Sequence, residues 1–483
     1  MKADSVKKNM VFQFAYQFVV LVVPLIIAPY LTRILGENSL GIYSYTYSIA
    51  YYFVLFCMLG IVKHGQRIIA ERRDDEILLR KTFWSLFFVH AIASIIGVCG
   101  YLIVCLFVVN KYISIYLIQS LYVLSALFDI TWLFYGIEKI KIVVLRNAFV
   151  KIGELVFIFL LVRGPGDLLT YTLIMAISAL LSNALLIPIA IKHIKPIKFE
   201  KSFVVEHLKP LFVLSVSVFA ISMFTVFDKT LLGIMTTTEN VAFYEYSNKI
   251  INIPKMFIVV VGTVIFPRAC SCLASNDFAG INKYYRYSLL VVYFIGFGAV
   301  FGLISISNLF SVIYFGNSFE ICGSVIKALS PIILIIGLGD IFRSQFLIPL
   351  KKDFQYTLCV IVNAIINILL SIILIPKCGI YGAVIGTVSA EMFGLFYQGY
   401  LVRNYINIKD TIIKSCPFVM SGILMFAAIK VVKTCFNSTI LDLLIQVAIG
   451  GGIYIGALCI WFSFFDKDKM EYRRVMLSLL RRG

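Results

Sequence analysis

Leu211 to Met235 reads LFVLSVSVFAISMFTVFDKTLLGIM, an apolar run of membrane-spanning length with Asp228-Lys229 inside it. An ionised side chain at the centre of a bilayer costs about 2.5–3.5 kcal/mol on insertion scales, so charges kept there face a partner or a wet cavity. A partial echo stands earlier, where Pro29-Tyr30-Leu31-Thr32-Arg33-Ile34-Leu35-Gly36 ends the first apolar run. Both stretches place a cation three or four residues before a glycine, then a short polar link, then an aromatic cluster. The clusters are Ile42-Tyr43-Ser44-Tyr45 and Phe243-Tyr244-Glu245-Tyr246.

Outward from these stretches the whole chain is apolar. Of its 483 residues 61% are hydrophobic and 14% charged, against about a quarter charged in soluble proteins. Runs of about 20 apolar residues, each able to cross roughly 30 Å of hydrocarbon, recur from end to end. The pattern predicts an all-α polytopic membrane protein with about fourteen transmembrane helices, from residues 11–32 to residues 441–465. The net charge of +18 reads as topology rather than as a nucleic-acid signature. Six basic residues fall between Lys63 and Lys81 and six more between Lys467 and Arg482. That concentration on one side follows the positive-inside rule and predicts both termini in the cytoplasm. Eleven cysteines without a CxxC pair give neither a zinc site nor a disulfide framework, and no metal or cofactor is expected.

Six spans precede the long basic link KHIKPIKFEKSFVVEHLKP and eight follow it, the first six of which form a second set, which predicts a parallel internal repeat with the last two spans outside it. Asp129 followed by Glu138-Lys139 in the fourth span, residues 112–135, pairs with Asp340 followed by Lys351-Lys352 in the tenth, residues 325–348. The expected division is a six-helix bundle over 1–200, a second over 201–410, and two additional helices with a basic tail over 411–483.

Charged residues within the spans are the candidate site. Arg33, Lys229, Lys255 and Arg343 are the cavity cations, suited to phosphate oxygens through charge-assisted hydrogen bonds. Asp129, Asp228, Asp340 and Glu391 are candidates for proton or sodium coupling, or for ion pairs. Asp340 and Arg343 stand three apart and share a helix face. The loop KHGQRIIAERRDDEILLRK reads as a headgroup-facing hairpin, with Lys63, His64 and Arg67 as a candidate docking rim for an anionic lipid head. Trp132 reads as an interfacial anchor or, alternatively, as a sugar-stacking platform.

The stretch PYLTRILGENSLGIYSYTYSIAYYFVLFCMLGIVKHGQRIIA resembles the opening of Wzx-type polysaccharide flippases of the multidrug/oligosaccharidyl-lipid/polysaccharide exporter superfamily. LFDITWLFYGIEKIKIVVLRNAFVKI, FDKTLLGIMTTTENVAFYEYSNKI and LSPIILIIGLGDIFRSQFLIPLKKDFQYT look like that family's later blocks, and the likeness runs from about residue 7 to 465. The resemblance implies two pseudo-symmetric six-helix bundles around a cationic cavity, plus two further helices. It also implies translocation of undecaprenyl-pyrophosphate-linked oligosaccharide repeat units to the outer leaflet by alternating access, for O-antigen or capsule. It carries Arg33, Lys229 and Arg343 over as cavity cations; Lys255 rests on its depth alone. The implied setting is the bacterial cytoplasmic membrane, beside polysaccharide polymerase and export machinery, with the bilayer itself as partner.

Three rivals stand beside this reading. A lipid II flippase shares the architecture. A multidrug–cation antiporter shares the core but favours acids over bases in its cavity. A membrane glycosyltransferase or polymerase needs catalytic residues on sizeable outer loops, and the outer links here are short. The chain shows no nucleotide-binding glycine loop and only four histidines, so a transporter is expected rather than an enzyme.

Overall fold

Apolar runs of this length fold as helices because every backbone polar group in hydrocarbon needs a partner within its own segment. A computed structural model describes Val20 and residues 22–197, 201–433 and 440–464, and there the chain is helical with no strand. The expected tail beyond Lys467 lies outside the described residues. The first unit, Met1–Ala242, contains α1 (Val22–Ile34), α2 (Gly36–Met58), α3 (Ile61–Arg72), α4 (Glu76–Phe107), α5 (Ile113–Ser125) and α6 (Thr131–Gly136). It continues through α7 (Ile140–Leu161), α8 (Leu168–Ala184), α9 (Leu186–His193) and α10 (Lys201–Met235). The second unit, Phe243–Gly483, takes up α11 (Thr238–Ala274), which begins before the boundary, then α12 (Phe278–Phe315), α13 (Ile321–Leu329) and α14 (Ile332–Phe342). Its last helices are α15 (Asp353–Cys378), α16 (Ile380–Val402), α17 (Ile408–Lys433) and α18 (Ile440–Phe464). Helix α10 packs on α2, α3 and α4 and so belongs with the first unit. This is a boundary of packing; the six-plus-six division is one of sequence order.

Among the described residues ten helices are long and apolar enough to cross a membrane, and eleven if the bent pair Asn317–Leu329 and Ile332–Leu347 is one span. This is a multi-pass membrane protein. The other three expected spans fall on α1, on α10 and on α7, which carries Lys141, Arg146, Lys151 and Glu154.

Two expected spans are broken rather than continuous. In the first unit α5 runs into a 3-10 turn at Ala126–Phe128 and stops at Asp129, whose backbone is extended. Asp129 Oδ1 accepts from Thr131 N at 3.0 Å and from Thr131 Oγ1 at 2.6 Å, starting α6 afresh. A short acid that bonds the backbone two residues on is a helix starter, which is why the span divides there. In the second unit the pair around Ser330 and Pro331 bends by 40°, and Arg343–Leu347 forms a π turn. Both stretches end alike. Glu138 and Lys351 take left-handed backbone, φ 60° and 57°, and the next residues' N–H groups reach back to Phe134 O and Leu347 O, each at 2.8 Å. That pairing satisfies carbonyls the helix end leaves open.

The basic loop after α2 is also more ordered than a hairpin. It contains α3, whose His64, Gly65, Ile68 and Ile69 are buried, then a turn in which Asp75 caps α4 by accepting from Ile77 N and Leu78 N at 3.0 Å. Trp132 is neither anchor nor platform: it is fully buried, with Phe83 at 5.4 Å between ring centroids. Its indole lies on Gly65, where a Cβ would come within 2.7 Å of the ring.

Helices in lipid gain little from apolar burial against each other, so close backbone approach and polar contacts hold them. The α15–α16 pair shows this. Gly382 and Gly386, four apart, press on Ile375 and Ser371, and a Cβ on Gly386 would sit 2.5 Å from Ser371 Oγ and 3.2 Å from Asn367 O. Gly386→Leu is expected to destabilise the second unit by about 1–3 kcal/mol through overpacking, read as a lower half-loss temperature in size-exclusion assays after heating. Gly451→Leu, at a position with nothing within 4 Å of an added Cβ, is the matched control and leaves that temperature unchanged.

Candidate functional site

Each unit carries charge within its membrane helices. In the first, α10 crosses α2 with small and hydroxyl side chains between them. Ser48 Oγ and Tyr52 Oη lie 2.9 and 3.1 Å from Thr230 Oγ1, and the Tyr45 ring lies against Gly233, leaving no room for a Cβ. This contact sets the depth of Asp228 and Lys229. Asp228 is 2% exposed and close enough to Tyr52 to act on it electrostatically, while Lys229 is half-buried. Arg33, at the end of α1, is exposed, and its Nη1 donates to Pro29 O at 2.8 Å. Asp129 gives one oxygen to the N–H and hydroxyl of Thr131 and has no cation in ion-pair contact among the described residues.

The candidate rim divides. Lys63 and Arg67 are exposed, and Arg67 Nε lies 3.9 Å from Glu71 Oε1. His64 instead turns inward, 2% exposed, with its Nε2 3.1 Å from Nδ1 of His207 at the foot of α10. It therefore serves the packing of α3 on α10 rather than the surface. Beside it Arg72 donates to Glu206 at 2.5 Å and to Thr82 Oγ1 at 3.0 Å. Burial, then the neighbouring His64, pushes the His207 imidazole down to about 4; Glu206 opposes the shift and Arg72 adds to it.

In the second unit Lys255 on α11 and Glu391 on α16 are both half-buried and attract each other electrostatically. Neither forms a close ion pair or hydrogen bond among the described residues. Seven residues on, about two helical turns, the same two helices meet α14. Gly262 of α11 lets the buried Asp340 carboxylate lie on its backbone, and Gly339 faces Gln398 of α16, 3.7 Å from a Cβ position. Asp340 accepts from Arg343, and that guanidinium stands 5.9 Å from the centre of the Tyr356 ring. The expected Asp340–Arg343 pair thus forms, and four of the candidate charges lie along one seam of α11, α14 and α16. Gly262 and Gln398 were not among the sequence candidates. Their signal was the seven-residue step from Lys255 and from Glu391, which repeats a helix face.

A family model described as polysaccharide biosynthesis protein matches residues 6–271, more than half of the chain. The chain belongs to that family. The match includes every candidate charge from Arg33 to Lys255 and leaves Asp340, Arg343 and Glu391 beyond it. A relative from Shigella dysenteriae is 25% identical over 399 residues, spanning 81% of this chain and 98% of its own. One from Escherichia coli is 22% identical over 407 residues, spanning 83% and 97%. Both bear the name "Putative O-antigen transporter". Among solved structures, "Lipid II flippase MurJ, inward closed conformation" superposes with a TM-score of 0.75 at 19% identity, over 94% of this chain and 98% of that one. "Crystal structure of MATE in complex with MaL6" gives 0.52 at 12% identity, over 88% and 96%. At such identities the likeness is of fold.

Two outcomes test the geometry. A histidine whose value is lower when packed than when free stabilises the packed state above about pH 6.5 and loses that contribution as pH falls toward 4. Wild-type protein is therefore expected to lose thermal stability across that window more steeply than His207→Gln, the difference between the two curves isolating the imidazole from titrating carboxylates. Arg343→Ala leaves the buried Asp340 unpaired. The cost is expected to fall below the roughly 3–5 kcal/mol of a fully buried broken pair, because Arg343 is 35% exposed. Folded yield in detergent should drop for Arg343→Ala and recover when Asp340→Asn is added.

Proposed function

We propose that the chain is a flippase that moves undecaprenyl-pyrophosphate-linked oligosaccharide repeat units from the cytoplasmic to the outer leaflet of the bacterial inner membrane, by alternating access, for surface polysaccharide assembly. The observation that carries this reading is the retention of cations at membrane depth, above all Lys255 held near Glu391 without closing on it. An ammonium group left with bonding capacity in hydrocarbon needs an anion, and a diphosphate offers several acceptor oxygens. Arg33, Lys229, Lys255 and Arg343 are assigned to the diphosphate. The exposed Lys63 and Arg67 are assigned to its first capture at the cytoplasmic face. The names borne by the relatives and membership of the polysaccharide family support the saccharide part of the cargo.

The acids bear on the rival readings. Asp340 is neutralised by Arg343 and Glu391 faces Lys255, so the second unit's seam offers no uncompensated negative charge to a cationic drug. Among the acids, Glu391, half-buried beside Lys255, is assigned to proton or sodium coupling, with the buried Asp228 as the second candidate; Asp129 is engaged by Thr131 and Asp340 by Arg343. A lipid II cargo differs from the proposed one in its saccharide and peptide, not in its diphosphate carrier, and is separated by experiment.

In a strain lacking the gene, labelled lipid-linked repeat unit is expected to accumulate on the cytoplasmic face, with the wild-type gene restoring its delivery outward. Normal delivery without the gene refutes the reading. Accumulated lipid II instead favours the peptidoglycan cargo, and altered resistance to cationic dyes favours the antiporter. Arg33→Ala and Lys229→Ala are each expected to cut polymer export severalfold while leaving membrane insertion intact, as read by surface polysaccharide and membrane-fraction blots.

A further inference from the structure

Besides its contact with α10, α2 carries a ladder of tyrosines. Tyr43, Tyr47 and Tyr51 follow at four-residue steps, with ring centroids 5.8 and 6.2 Å apart and planes inclined by 22° and 28°. Tyr171 of α8 closes on Tyr43 edge-on at 4.8 Å, and Tyr122 of α5 lies 4.8 Å from Tyr47. The Tyr47 and Tyr122 hydroxyls are 2.6 Å apart. At these separations stacked rings are offset rather than overlaid, so part of each face stays uncovered. The ladder covers about 12 Å along α2. Tyr47 lies deep in the bundle, yet it, Tyr43, Tyr51 and Tyr122 all keep part of their surface open.

Two further observations separate this ladder from ordinary aromatic packing. The Tyr51 hydroxyl makes no hydrogen bond among the described residues, although a phenol at membrane depth ordinarily finds a partner. Asp129, with one oxygen on Thr131, stands close enough to Tyr122 to act on it electrostatically. Aromatic faces with phenol and carboxylate edges suit a ligand whose own rings have C–H faces and hydroxyl rims. A prenyl chain would leave the hydroxyls unanswered, and so would a lipophilic cation.

We propose that Tyr43, Tyr47, Tyr51 and Tyr122, with Asp129 at their edge, form a saccharide track: pyranose rings stack along the ladder and give their hydroxyls to Tyr51 and Asp129. This rests on the flippase reading and adds to it that the saccharide is held by the first unit through chemistry separate from that of the diphosphate. The ladder's length accommodates more than one sugar ring, so the track contributes most for multi-sugar cargo.

The test uses the full-length protein in lipid nanodiscs and two probes: undecaprenyl pyrophosphate, and the lipid-linked saccharide extracted from cells lacking the gene. Wild type is expected to bind the saccharide-bearing lipid more tightly. Tyr47→Leu and Tyr51→Leu are each expected to weaken that binding about tenfold, a loss of the size stacking contacts supply, while undecaprenyl pyrophosphate affinity stays within about twofold. Tyr47→Phe, which keeps the ring, retains most of the preference. The track is overturned if both leucine variants keep the wild-type preference, or if both probes weaken alike, which is the mark of a packing role. It is also overturned if only tetraphenylphosphonium binding responds. Wild type that binds neither lipid probe refutes the flippase reading itself, an outcome distinct from these. Where Tyr47→Leu does not fold, Tyr51→Leu decides, since its hydroxyl holds nothing in place.

Discussion

Hydrocarbon offers no hydrogen bonds, and this one deficiency governs the molecule. Backbone groups answer it by folding every described span into helix, and where a helix is interrupted the open groups are met at once. Asp129 receives the Thr131 N–H, and Phe134 and Leu347 carbonyls receive amides from beyond the two broken spans. Side chains answer it in kind. Asp340 lies on the bare backbone of Gly262 and takes Arg343 as partner, and buried Asn367 donates to Thr387 at 3.2 Å between α15 and α16. Glycines matter here because they let a neighbour's polar atoms come near enough to serve.

Against that background the groups left with spare capacity stand out. Lys255 and Glu391 share a field without touching, and Tyr51 keeps a phenol with nothing to bond. Buried side chains elsewhere also keep open polar atoms, among them Trp132 Nε1 and Gln398 Oε1, so what sets Lys255, Glu391 and Tyr51 apart is that part of each stays exposed. On the proposed reading, Lys255 and Arg343 in the seam of the second unit meet phosphate oxygens, and the tyrosine ladder of the first meets sugar rings. That division makes the two separable by substitution.

Composition and hydropathy carried the fold class, because a run of 20 apolar residues admits few alternatives to a spanning helix. The interruptions were not legible in the same way. Asp129 reads as a charge in need of a partner, and what its Oδ1 meets is uncharged, the N–H and hydroxyl of Thr131 two residues on. His64 was grouped with Lys63 and Arg67 by adjacency, but neighbours on a helix point about 100° apart, and only His207, 143 positions later, shows which way it faces. Trp132 was assigned by type to a membrane boundary, and Gly65 underneath it is what makes room for it inside. The pair Gly382–Gly386 has the spacing of a small-residue motif, but in a chain with 31 glycines that spacing alone does not mark a helix contact. The pairing of Asp340 with Arg343 followed directly from helical spacing, which is local and needs no knowledge of distant helices.

The π turn at Arg343–Leu347, where Ile348 N donates to Arg343 O at 3.1 Å, bears on how the halves of the chain are to be compared. Lys351 lies eleven residues after Asp340, whereas Glu138 lies nine after Asp129, although both lysine and glutamate adopt the same left-handed corner. A π turn accommodates one residue more than an α turn of equal rise, so it absorbs half of that discrepancy. The helix face presented after the turn is thereby shifted by about 100° from the one an uninterrupted α-helix would present at the same residue count.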